Sequence, residues 1–276
     1  MLLKFTIHDE FLLLHALVSS QPLPFPAWKL FKEGLQKKYQ LAFHSFIDKD
    51  FLVFAVLWHG RLNEFDKKPR LSIQKLIKEA LVSTEFKRLK QETIKYERFV
   101  KNQWRRNEDR ALSELQSITG LDLPKRRITV YLTHPKLKNG VSLRHLNAIC
   151  WGHRENWKNY TTVYLCHELL HLTTANREDL MHAINELVCD NELRIRLNNG
   201  GTYFKIDGES IGHPELLRTE KKILPFWKKY LKRKDGNISH FEKNIKSSHS
   251  QRPQNFRMIS TSKCNHIFSS FFYKHF

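Results

Sequence analysis

Cysteine is scarce and scattered: Cys150, Cys166, Cys189 and Cys264 are the only four in 276 residues, and no CxxC pair occurs. That excludes a disulfide framework and a knuckle-type structural zinc site, and it fits a reducing compartment. Long apolar runs are missing too. The longest, around Phe11 to Val18 and Phe51 to Trp58, fall short of the roughly 18 residues that a membrane-spanning helix needs. The opening stretch MLLKFTIHDEFLLLHALV interrupts its apolar residues with Asp9, Glu10 and two histidines and lacks a small-residue cleavage site, so it does not read as a secretion signal. A soluble, cytoplasmic protein is expected. Acids are also in deficit, 28 Asp and Glu against 47 Lys and Arg, for a formal charge of +19. Clustered cations gain affinity for phosphate by counterion release, which suits nucleic acid. The distribution tells against it. Eleven Lys or Arg against two acids lie between Lys228 and Phe276, and the rest alternate with acids as on a solvated helix face. Nucleic acid is therefore the second choice of partner.

What is present divides the chain into three. Residues 1–120 read as a mostly helical N-terminal region. It contains FLLLHALV, WKLFKEGLQKKYQ and the apolar block FLVFAVLW, interrupted by the proline-rich QPLPFPAW. From Leu71 to Ile118 apolar residues recur every three to five positions among charges, which predicts long amphipathic helices ended by Gly120. Over 121–235 the texture changes. Ile128-Thr129-Val130-Tyr131-Leu132-Thr133 alternates and is β-branched, predicting a strand; a second is predicted over 146–152, with a turn at Asn139-Gly140 between them. From Gly236 onward Ser, Asn, Lys and His dominate, predicting a basic, poorly ordered tail over 236–276.

The middle third holds Tyr164-Leu165-Cys166-His167-Glu168-Leu169-Leu170-His171-Leu172, and so HELLH. On a helix His167 and His171 lie one turn apart on one face, and Glu168 points about 100° further round. Two imidazoles on one face suit a zinc ion, and the carboxylate beside them is left to handle a proton. An ordinary amphipathic helix can carry the same letters, so the motif counts only with its context. Cys166 and Cys189 flank it and read as small buried hydrophobes. The longer zinc pattern HExxHxxGxxH fails, because Thr174 and Arg177 stand where Gly and His are required. His182 fits no zinc spacing and reads as a packed or surface histidine.

One helix further on, EDLMHAINELVCDNELRIRLN runs to the stop signal Asn198-Asn199-Gly200-Gly201. Glu186 and Asp190 lie four apart, on a face shared with Ala183, Leu193 and Leu197. Two carboxylates on an apolar stripe are costly to bury unless a cation or a metal-bound histidine offsets them. HELLH followed by NELVCD resembles the gluzincins, the thermolysin-like zinc metallopeptidases in which HExxH is followed by a glutamate ligand inside NExxxD. The resemblance covers roughly residues 164 to 197. It implies that His167, His171 and Glu186 hold Zn2+, that Glu168 is the general base, and that Asp190 orients a ligand histidine from behind. It also implies a later His or Tyr that stabilises the oxyanion, for which His213 and Tyr203 are the candidates. The interval from His171 to Glu186 is shorter than the family's, and Glu192 stands at a more usual distance. Glu192 lies about 120° round the helix from Glu186, so only one of them can face the ion, and only Glu186 has a partner carboxylate one turn later.

The expected fold is α+β, a zincin-like catalytic domain with a small sheet beside two active-site helices, preceded by the helical region. The expected activity is that of a zinc-dependent hydrolase, a metallopeptidase whose peptide or protein substrate pairs with the sheet edge. The alternatives are a basic nucleic-acid-binding protein with a structural or vestigial zinc site, and a zinc amidohydrolase of small substrates.

Overall fold

The burial of two short strands decides the layering. In the computed structural model, which describes residues 2–48, 65–174, 179–233 and 235–250, strand β2 (Ile128–Leu132) buries Ile128, Val130 and Leu132 and turns Thr129 and Tyr131 the other way. Strand β4 (Ala148–Gly152) is buried at every position. Strands buried on both faces need a layer of helices on each. β2 pairs in parallel with β1 (Leu3–Thr6) and with β4, and β3 (Asn139–Leu143) runs antiparallel to β4, giving the order β1-β2-β4-β3. The protein is thus a mixed α and β structure around a small four-stranded sheet.

On one face Tyr131 and Cys150 meet the core formed by α1 (Asp9–Val18), α2 (Pro26–Lys38), α3 (Gln40–Asp48) and α4 (Lys67–Leu81). On the other, Ile128, Val130, Leu132, Ile149 and Trp151 meet a larger core. Its helices are α6 (Tyr160–Thr173), α7 (Asp179–Glu186), α8 (Arg194–Asn198), α9 (Leu217–Arg233) and α10 (Ile238–Ser250). A π-helical turn, Leu187–Leu193, joins α7 to α8. Helix α5 (Thr84–Thr119) serves both cores. Its 36 residues reach about 54 Å at 1.5 Å per residue, seating Phe86 and Leu89 in the first core and Tyr96 to Ile118 in the second. The Ser83 hydroxyl caps its start by accepting the Phe86 N–H at 3.1 Å, and Gly120 ends it as the sequence predicts.

Three expectations need correction. The boundary at 120 does not separate two bodies, because β1 at the N-terminus pairs with β2 and α5 spans both cores. Asn139-Gly140 opens β3 and is not the turn. The reversal falls one residue earlier, at Lys138 with φ 51°, and Gly140 lets the strand cross the Trp151 ring, which a Cβ would approach to 3.1 Å. The segment from 236 begins with α10 instead of a loose tail. Ile238, Phe241 and Ile245 recur at helical spacing and are buried, with Phe241 against the rings of Trp227 and Tyr230. The block FLVFAVLW and residues 251–276 lie outside the described residues. Among the described residues no helix is long and apolar enough to cross a membrane.

His15 on α1 is 3 % exposed, and burial lowers its pKa from 6.5 to about 4. The unfolded chain therefore takes up this proton near pH 6.5, and the folded chain resists it until about 4. Stability is full above the upper value and is lost as pH falls toward the lower one, by about 3 kcal/mol in all. Urea unfolding at pH 7 and pH 4.5 should show the wild type losing about 2 to 3 kcal/mol more than His15→Leu over that interval. Equal losses in the two proteins would rule out a buried neutral imidazole there.

Candidate metal centre

From Tyr160 to Leu170, every position of α6 except Tyr164 is buried, so it is a core helix and its polar side chains are carried inside with the rest. Its first amides are satisfied from α5 and the preceding loop: Thr162 N–H donates to Gln103 Oε1 at 3.0 Å, and Thr161 N–H to Glu155 Oε1 at 2.9 Å. The helix thereby sinks His167 and Glu168 into the interior, with His171 at its edge.

The HELLH rings converge. His167 Nε2 and His171 Nε2 are 2.9 Å apart, and each ring is held from behind. Asp190 Oδ1 lies 3.0 Å from His167 Nδ1, and Asn185 Nδ2 lies 3.3 Å from His171 Nδ1. The Asp190 acceptor behind Nδ1 leaves His167 Nε2 to face a ligand, as metal-binding histidines require. Burial opposes charge on His167, but the Asp190 carboxylate more than offsets it and raises this ring to about 9. Burial, then the charge of His167, holds His171 well below its ordinary value and His182 down to about 3. Neutral rings of this kind are the form in which histidine takes a metal.

Glu168 points to the sheet edge. Its carboxylate accepts from the Ser142 backbone on β3, and a Cβ at Gly140 would stand 3.7 Å from its Oε1. Burial pushes this carboxyl up to about 7. It is therefore poised to take and return a proton near neutrality.

Helix α7 and the π turn supply the opposite wall. Glu186 and Asp190 are fully buried. Both Glu186 oxygens accept the His213 main-chain N–H, at 3.1 and 3.0 Å, and the His213 ring donates through Nδ1 to Oε1. Asn191 Nδ2 donates to the Glu186 carbonyl at 3.1 Å and Arg194 Nε to the Asp190 carbonyl at 2.6 Å, so side chains satisfy backbone groups around the widened turn. Glu220 on α9 comes up beside Glu186. Burial, then the Glu186 charge, pushes it up to about 9, which keeps it neutral at pH 7.

Among the described residues two groups of donors could hold a metal ion: His167, His171 and His182, and His182, Glu186 and His213. Within each group the ligand atoms lie within 4.8 Å of one another. The donor chemistry fits an ion, since His182 Nε2 is buried with no hydrogen-bond partner among the described residues. His167, His171, Glu186 and His213 all belong to this cluster, Asp190 stands behind His167, and Glu168 borders it.

Glu192 is elsewhere. It pairs with Arg196 Nε at 2.7 Å and accepts the Tyr203 hydroxyl, while Arg196 also binds Glu114 at 2.9 Å. Tyr203 in turn accepts from Trp227 Nε1 at 3.1 Å, so it is a strut between the π turn and α9 rather than an oxyanion donor. Cys166 and Cys189 are fully buried, with burial holding Cys166 up at about 12 and Cys189 well above its ordinary value, so neither is a ready thiolate.

Sequence reasoning missed three participants. His182 had a signal, since it precedes Glu186 by four residues as His167 precedes His171. Asn185 had its place in NELVCD but no role, and Glu220, among lysines on an amphipathic helix, looked like a solvated acid. Set against family models, curated proteins and solved structures, the chain matches none.

Gly212 is what lets Glu186 sit where it does: φ is 77°, and a Cβ would fall 2.3 Å from Glu186 Oε2. Gly208, φ 86°, has nothing within 4 Å of a built Cβ. Gly208→Ala should cost about 1 kcal/mol for the backbone alone, and Gly212→Ala about 1 to 3 kcal/mol more. Urea midpoints read the difference, and equal losses would mean that Glu186 is not packed against this loop.

Proposed function

We propose that the chain is a zinc-dependent hydrolase, most specifically a metallopeptidase. The observation that carries this reading is the pair of Nε2 atoms 2.9 Å apart on α6, backed by Asp190 and Asn185 and bordered by the buried Glu168. His167 and His171 would hold the zinc with a third donor from α7, which carries both His182 and Glu186. When bound, zinc supplies a Lewis acid that polarises a carbonyl and acidifies a water.

The chain's own residues supply the rest. Glu168, its carboxyl raised to about 7, accepts a proton from the attacking water and returns it to the leaving amine. His213, held through Nδ1 by Glu186 at the edge of the donor cluster, is the residue placed to stabilise a developing oxyanion. The peptide substrate class rests on β3. It is an edge strand of the sheet, it passes beside Glu168, and an extended chain pairs naturally along such an edge.

Metal analysis of the purified protein should give about one zinc per chain. Glu168→Gln should retain that zinc and lose about 10²- to 10⁴-fold in turnover of an unfolded protein substrate, followed by mass spectrometry of the fragments. Cleavage that survives chelation, or a Glu168→Gln variant as active as the wild type, would overturn the mechanism.

A further inference from the structure

Glu186 and His182 occupy successive turns of α7 and compete for one role, the third protein donor to the HELLH ion. Their surroundings differ. The Glu186 carboxylate is already engaged, accepting the His213 N–H on both oxygens and the His213 ring on one. His182 Nε2 is buried and unpartnered among the described residues, and at 3.9 Å from Glu186 Oε1 it is beyond hydrogen-bond reach.

Position separates them further. The His182 ring stands edge-on to His171 at 4.9 Å and to His167 at 5.9 Å. Its ligand nitrogen lies within 4.8 Å of those of both HELLH histidines, whereas Glu186 joins no such group with that pair. A tetrahedral ion with zinc–nitrogen bonds of about 2.0–2.1 Å needs donors about 3.3 Å apart. The three imidazole nitrogens already lie within 4.8 Å of one another, whereas both Glu186 oxygens are engaged by His213.

We propose, building on the zinc reading above, that His182 is the third protein ligand, and that Glu186 anchors the loop at Gly212 and His213. Three imidazoles would then hold the ion, the donor set of a catalytic rather than a closed structural zinc site. Glu186 becomes a positioning residue. It fixes the His213 ring by Nδ1 and acts on the reaction only through it.

The test is zinc affinity, measured by chelator competition on the full chain, with unfolding curves confirming that each variant is folded. His167→Ala and His182→Ala should each weaken zinc binding by more than about 100-fold, the upper end of what losing a group behind a ligand costs, and Glu186→Gln by less than about tenfold. His182→Cys gives a readout that no merely structural role can produce. Loaded with cobalt(II), it should show a sulfur-to-cobalt charge-transfer band that the wild type lacks, because a thiolate then binds the metal directly.

Zinc held by His182→Ala as tightly as by the wild type would overturn the assignment. So would loss in Glu186→Gln equal to that in His167→Ala, or a cobalt-loaded His182→Cys chain without the band. Each of these leaves the zinc reading standing. A wild-type chain that binds no zinc would overturn that reading and this assignment together.

Discussion

Buried charge is the constraint on which the rest of the structure depends. Glu186 and Asp190 are fully buried, Glu168 nearly so, and four imidazoles stand among them. An uncompensated carboxylate in such surroundings costs several kcal/mol, so each needs a partner or a proton. Asp190 has His167, Glu186 has the amide and ring of His213, and Glu220 stays neutral beside Glu186. The solution uses residues from α6, α7, the π turn, the loop before α9 and α9 itself. Moving α6, α7, the π turn or the loop before α9 would strand a charge, and moving α9 would take the neutral Glu220 from beside Glu186.

The π turn belongs to the same solution. A regular α-helix through Leu187–Leu193 would close its backbone bonds four residues apart, whereas the π turn closes them five apart and is wider. Around the wider turn the carbonyls of Glu186 and Asp190 accept from the side chains of Asn191 and Arg194. Glu192, by contrast, is turned to Arg196 and Tyr203. Two acids six residues apart thus go to different tasks, one at the cluster and one in a strut that ties α8 to α5 through Glu114.

Features with a local cause were legible in the sequence. β2 alternates, α5 has apolar residues at helical spacing and a terminal glycine, and HELLH and NELVCD each place polar groups on one face. Features whose cause lies far along the chain were not. β1 is four residues whose identity as a strand depends on Ile128 to Tyr131, and α10 is recognisable only once Trp227 and Tyr230 are there to cover it. In the candidate site, His213 was reached only through the family resemblance, and Glu220 not at all. His182 is a different case. Its spacing from Glu186 is plain, but it fits no known zinc pattern, and the short interval after His171 is what brings it beside that ring.

Continuity of packing explains why the N-terminal helices belong with the site. Cys150 on β4 faces their core, while its neighbour Trp151 faces the other and stacks on Tyr164. Tyr164 lies against His167, whose far side is held by Asp190. A donor set needs placement to within about 0.5 Å, which loops alone rarely give. Here each link from the first core to the His167 ring is a side chain on a strand or a helix, and α5 locks the two cores together along its length. The helices before residue 120 therefore act as scaffold for the centre: loosening their core would release β4, and through Trp151 and Tyr164 the ring that Asp190 aims.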